Sequence, residues 1–119
     1  MGRVSTHILD VTIGKPAADV MIELHRLTIK DNAWVALKQT TTNSDGRTDQ
    51  PLLTGEEFKP GTYKIVFHIG DYFKKTGASK GDQPFLDMIP IRFTIADQDG
   101  HYHVPLLVTP WSYSTYRGS

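Results

Sequence analysis

The chain has 119 residues, 13 Lys and Arg against 13 Asp and Glu, and no cysteine. That length suits a single domain over 1–119, and the missing cysteine excludes a disulfide framework, a Cys-ligated metal and a cysteine nucleophile. Balanced charge argues against nucleic acid or an anionic membrane as main partner, and the chain contains no apolar run of about 18 residues, the length a membrane-spanning helix needs.

The dominant period is two. Val4, Thr6 and Ile8 alternate with Ser5, His7 and Leu9, which predicts a first short strand. After the turn signal Gly14-Lys15-Pro16, Val20, Ile22 and Leu24 alternate with Met21, Glu23 and His25, as in a half-buried strand. Residues 33–42 read as a third strand ending in Asn43-Ser44-Asp45-Gly46, where Asp-Gly supplies the positive φ of a tight turn and delivers Arg47 at a defined place. Residues 51–61 hold two Pro and two Gly and read mainly as loop. Tyr63, Ile65, Phe67 and Ile69 alternate again; the period then breaks at Asp71-Tyr72-Phe73-Lys74-Lys75, a short helix with Asp71 as an N-cap type residue. Ile89, Ile91, Phe93 and Ile95 form the next apolar face, followed by segments 101–109 and 112–117. Short strands with turn signals at this spacing and one short helix predict an all-β sandwich. Strand order does not follow from period.

Parity decides which polar residues share a face. In the strand from His101, Val104, Leu106 and Val108 have one parity, and His103, Pro105, Leu107 and Thr109 the other. His7 and His103 therefore both lie opposite a core stripe, and two imidazoles facing one pocket supply a general acid and a general base near neutral pH. Arg47 offers a planar fork for an anionic or enolate-like oxygen. His101-x-His103 has the same-side spacing of a ligand pair, but no third ligand stands at a strong spacing, so the expectation is no metal. Neither common phosphate loop, no G-x-S-x-G elbow and no H-E-x-x-H is present. The residues alone do not name a reaction.

The tail is more specific. His101-Tyr102-His103-Val104-Pro105-Leu106-Leu107, followed by Ser112-Tyr113-Ser114-Thr115-Tyr116-Arg117-Gly118-Ser119, closely resembles the C-terminal signature of the 5-hydroxyisourate hydrolases, transthyretin-related enzymes of urate breakdown. His7-Ile8-Leu9-Asp10, Gly14-Lys15-Pro16-Ala17, the stretch from Thr42 through Asp45-Gly46-Arg47, and Gly70-Asp71-Tyr72-Phe73 look like further landmarks in the same order. The resemblance implies a transthyretin-like β-sandwich of two four-stranded sheets with one short helix. It implies a homotetramer with sites where two dimers meet, and no cofactor; the N-terminus, Met1-Gly2-Arg3-Val4-Ser5-Thr6-His7, lacks the apolar core of a signal peptide, so the expected location is cytoplasmic. The implied activity is hydrolysis of 5-hydroxyisourate to 2-oxo-4-hydroxy-4-carboxy-5-ureidoimidazoline; the competing reading is a transthyretin-like small-ligand carrier without hydrolase activity. It assigns catalysis to His7, Arg47 and His103, and substrate binding to His7, Arg47, Tyr116, Arg117, Gly118 and Ser119. Leu9, Pro105, Leu107 and Ser114 would share the cleft. Two positions depart from the commonest pattern: Thr109, where Ser is usual, and Trp111-Ser112, where an aromatic–Gly pair is frequent.

Overall fold

A computed structural model describes residues 2–79 and 83–118. Its strands are β1 (Arg3–Asp10), β2 (Lys15–Pro16), β3 (Met21–Thr28), β4 (Ala33–Thr41), β5 (Leu53–Thr54), β6 (Gly61–His68), β7 (Met88–Ile95), β8 (His101–Val108) and β9 (Tyr113–Thr115), with helix α1 (Ile69–Thr76) between β6 and β7. They form two sheets. One runs β2-β1-β8-β9, with the short β5 also pairing with β1, and the other runs β4-β3-β6-β7. No helix among the described residues is long and apolar enough to cross a membrane.

The alternating apolar stripes meet between the sheets. Val4, Ile8, Val104, Leu106 and Val108 pack from one side, and Ile22, Leu24, Tyr63, Ile65, Phe67 and Ile89 from the other, all buried. Removing this apolar surface from water is the main stabilising term. Thr6 joins the buried stripe because its hydroxyl donates to the Val104 carbonyl at 2.7 Å. Asp10, also buried, accepts from the Tyr72 hydroxyl at 2.8 Å and the Thr12 amide at 3.0 Å. A buried carboxylate is tolerated when it is so partnered, and here it ties the end of β1 to α1.

Two expectations need correction. The segment 51–61 contains β5 and a one-turn 3-10 helix at Gly55–Glu57, because the Leu52 amide donates to the Val4 carbonyl at 2.9 Å and draws this segment onto β1. The helix starts at Ile69, with His68 rather than Asp71 at the N-cap. No side chain caps it; the Asp87 carbonyl accepts from both the Ile69 and Gly70 amides, at 3.0 and 2.9 Å. A Cβ on Gly70 would lie 2.3 Å from the Asp87 carboxylate and 3.1 Å from the Asp87 Cα, so glycine eases this close approach.

β1 and β8 pair in parallel, in register from Arg3 with His101 to Asp10 with Val108. Every other strand pair is antiparallel. The parallel pairing brings residues 98 positions apart side by side, Ser5 against His103 and His7 against Pro105.

Candidate active site

The outer face of the first sheet gathers the residues singled out above. β1 contributes Ser5 and His7, β8 contributes His103 and Pro105, and Arg47 bridges to His7 on the far side of β1 in an isolated antiparallel pairing. On the other edge, β9 pairs Thr115 with Leu106, and the isolated pairing of Gly118 with His103 keeps the same register. Carried through that register, Tyr116 falls beside Pro105. Arg47, His7, Pro105 and Tyr116 thus form one row across the sheet, and Ser5, His103 and Gly118 form the next. His7 and His103 sit on the diagonal of adjacent strands, about 8 Å apart by strand spacing and rise.

Local chemistry fixes each position. Arg47 leaves a turn organised by Asn43, whose side-chain oxygen accepts from the Asp45 and Arg47 amides at 2.9 and 3.2 Å. Gly46 adopts φ +73, its carbonyl accepts from the Ile8 amide at 2.8 Å, and a Cβ there would lie 2.5 Å from the Ile8 carbonyl. Only glycine fits both the angle and the contact. Thr42 anchors the start of the turn: its hydroxyl donates to the Ala17 carbonyl at 2.7 Å and accepts from the Val20 amide at 3.0 Å.

His103 is held from two sides. Its Nδ1 lies 2.8 Å from the Ser5 hydroxyl. The Gly118 amide donates to the His103 carbonyl at 2.8 Å, and a Cβ on Gly118 would come within 2.6 Å of the ring's Cδ2. The tail's glycine therefore lets the backbone lie against the imidazole. The turn into the tail is tied by the two departing positions together. The Thr109 hydroxyl meets the Ser112 hydroxyl at 2.9 Å and accepts from the Ser112 amide at 3.0 Å.

Both imidazoles are half-buried and pushed below the ordinary value of 6.5. For His7 the causes are burial and then the Arg47 guanidinium, opposed by the backbone and carboxylate of Asp45. For His103 they are burial, then Arg47, His7 and Arg3. Burial and the neighbouring cations disfavour the charged form and outweigh Asp45, so both rings are neutral near pH 7, as proton acceptors must be.

Arg117 does not join this face. Its guanidinium lies 4.3 Å from the Tyr102 ring centroid and donates to the His101 carbonyl at 3.4 Å. It borders, with Tyr102, Val104, Phe93 and Tyr116, a cavity of about 280 Å³ at the sandwich edge. The tail's odd-numbered residues, Thr115 and Arg117, share the parity of the core stripe, which separates Arg117 from the histidines. Tyr116 is exposed, and Ser119 lies outside the described residues. His101 is exposed, and no three His, Asp or Glu side chains among the described residues gather in a way that could hold a metal ion. Sequence reasoning missed Ser5 as a partner of His103. Ser5 shares the parity of His7, but seeing its contact also required the β1–β8 register.

Comparison with known proteins identifies the family of the chain. The HIUase/Transthyretin family matches residues 4–118. A 5-hydroxyisourate hydrolase 2 of Rhizobium meliloti (strain 1021) is 52% identical over 118 residues, covering 99% of this chain and 97% of that protein. The crystal structure of an (S)-allantoin synthase is similar with a TM-score of 0.92 at 48% identity, over 99% of this chain and 44% of that one, so this chain spans less than half of it. Sea bream transthyretin in complex with thyroxine is similar with a TM-score of 0.85 at 28% identity, over 98% of this chain and 94% of that one. With a family match over nearly its whole length and half its residues shared with a relative of the same size, the chain belongs to the HIUase/Transthyretin family.

Proposed function

We propose that this chain is a single-domain hydrolase that opens the ring of 5-hydroxyisourate to give 2-oxo-4-hydroxy-4-carboxy-5-ureidoimidazoline. The observation that carries the reading is the convergence of Arg47, His7 and His103 on one sheet face, with both imidazoles held neutral. The name and close similarity of the Rhizobium meliloti relative support the substrate. Hydrolysis of a cyclic acyl–nitrogen bond needs an activated water, a stabilised oxyanion and a proton for the departing nitrogen. One of His7 and His103 takes a proton from water as its oxygen bonds to the ring carbonyl carbon. Arg47 offsets the charge that develops on the carbonyl oxygen. As the carbon–nitrogen bond breaks, the histidine that took the water's proton, now an imidazolium, gives it to the leaving nitrogen, while the other, neutral histidine orients the water. Tyr116 and Gly118, at the end of the tail, border the substrate and fix its orientation; Ser119 belongs to the same binding group. Arg117 serves binding indirectly, by stacking on Tyr102 and so fixing the course of the tail.

The site is completed in a homotetramer where two dimers meet. Support comes from the large apolar side chains exposed near one end of the first sheet, Val11, Ile13, Trp111 and Tyr113, since such clustering marks association surfaces. A second reading, a small-ligand carrier, rests on the likeness to the thyroxine-bound transthyretin. Freshly prepared 5-hydroxyisourate followed by ultraviolet absorbance tests the hydrolase: decay well above the spontaneous rate is expected. Decay at the spontaneous rate, together with stoichiometric thyroxine binding by calorimetry, would establish the carrier instead.

A further inference from the structure

We propose that Ser5 is a positioning residue for His103, accepting a hydrogen bond from Nδ1–H so that Nε2 is the nitrogen that takes and returns protons. The inference extends the hydrolase reading, because it specifies how one of its two histidines is held. Ser5 and His103 are direct partners in the parallel β1–β8 pairing, and the hydroxyl lies 2.8 Å from Nδ1. On the opposite edge a Cβ on Gly118 would lie 2.6 Å from the His103 Cδ2 and 3.2 Å from its Cγ, so the glycine sits close beside the ring. Between these two contacts the imidazole has little freedom to rotate or flip.

The chemistry follows from the hydroxyl's capacity to accept. With Nδ1 protonated and bonded to Ser5, the neutral ring presents a lone pair at Nε2. When Nε2 takes a proton, the cation keeps the same Nδ1–H bond to the hydroxyl; when Nε2 gives the proton up, the starting tautomer is restored. The bond therefore persists through the whole cycle and no ring movement is needed. The hydroxyl of the next residue, Thr6, is committed elsewhere, to the Val104 carbonyl inside the sandwich, so Ser5 is the first-strand hydroxyl that reaches His103.

The test compares wild type with Ser5→Ala and Ser5→Thr, by steady-state kinetics on 5-hydroxyisourate and by nitrogen-15 NMR of the His103 ring. Ser5→Ala should lower kcat about tenfold, the factor expected for one lost hydrogen bond, with KM within about twofold. Ser5→Thr, which keeps the hydroxyl, should restore most of the rate. The ring should be the Nδ1–H tautomer in wild type and redistribute towards Nε2–H in Ser5→Ala. A wild-type ring found as Nε2–H overturns the proposal, as does Ser5→Ala with unchanged kcat or Ser5→Thr as impaired as Ser5→Ala. If wild type lacks hydrolase activity the functional reading fails, while the tautomer measurement still decides the Ser5–His103 pairing on its own.

Discussion

Both sheets of the sandwich carry histidines on their outer faces, and two pairs, His7 with His103 on the first and His25 with His68 on the second, live in opposite surroundings. On the first sheet, His7 and His103 face Arg47 and Arg3, and burial adds to the cations in disfavouring their protonated forms. On the second, His25 and His68 converge on one carboxylate: His25 Nε2 lies 3.1 Å from one oxygen of Glu23, and His68 Nε2 hydrogen-bonds the other. These two bonds, that to His68 foremost, hold the Glu23 carboxyl below its ordinary value against the opposing effect of burial. The same side chain thus has two uses. An imidazole among cations is kept neutral and can accept a proton, whereas one that commits its nitrogen to a carboxylate becomes part of a surface cross-link between strands β3 and β6. Residue type alone does not separate the two; neighbours do.

The largest expected effect tests that division directly. His7→Ala and His103→Ala should each lower kcat/KM for 5-hydroxyisourate by about 100-fold or more, the usual loss when a general acid or base is removed. His25→Ala and His68→Ala should stay within about twofold of wild type. Comparable losses from both pairs, measured in the same ultraviolet assay, would erase the distinction between the faces.

A smaller effect sharpens the electrostatic half of the comparison. A neutral imidazole is the proton acceptor, so activity falls as pH drops through its folded pKa. That pKa lies below 6.5 for both first-sheet histidines, so the acidic limb of the kcat/KM profile should lie below 6.5. Arg47→Gln removes the cation beside both rings and should move the limb upward, part of the way to 6.5, because burial, the larger cause, remains. The rate at the plateau should also fall by about 100-fold or more with loss of oxyanion stabilisation. A limb that stays in place or moves down would show that Arg47 does not set the protonation of these histidines.

The sequence made some of this legible and hid the rest for physical reasons. Strict alternation in β1, β3, β6, β7 and β8 matched the pleat, so the buried stripes and the outward placement of His7 and His103 were readable from parity. The Asp45-Gly46 turn was readable because positive φ at Gly46 is a local requirement. The helix start was not, since its cap is the distant Asp87 carbonyl rather than a side chain beside it. Nor was the β5 pairing, which depends on a two-residue contact with β1. The Ser5–His103 contact depends on a parallel register across 98 positions, and no local periodicity encodes that. Arg117 shows where family resemblance and geometry part company. The motif groups it with Tyr116 and Gly118, but strand parity turns it to the other side, onto Tyr102. Pro105 is instructive in another way. Proline brings no amide to a ladder and is ordinarily excluded from central strands, yet it lies between β1 and β9, where the Thr115 hydroxyl donates to its carbonyl at 2.7 Å. The departure from the strand rule falls in the row shared with Arg47 and His7, where departures of this kind are expected if the row is functional.

The smallest effect belongs to the second sheet and is a matter of stability. Because the folded Glu23 carboxyl has a pKa below its ordinary 4.5, its contribution is fully present above about pH 4.5 and is lost as pH falls through the folded value. The pair is partly exposed, so the contribution should be under about 1 kcal/mol. Glu23→Gln should therefore be slightly less stable than wild type at pH 6 in urea unfolding, and the gap should close towards pH 3, with hydrolase activity within about twofold throughout. A gap that is the same at both pH values would mean that the Glu23 side chain stabilises by packing rather than by charge. Loss of activity would carry more weight, because it would couple the second face to the first and show that the two histidine pairs do not act separately.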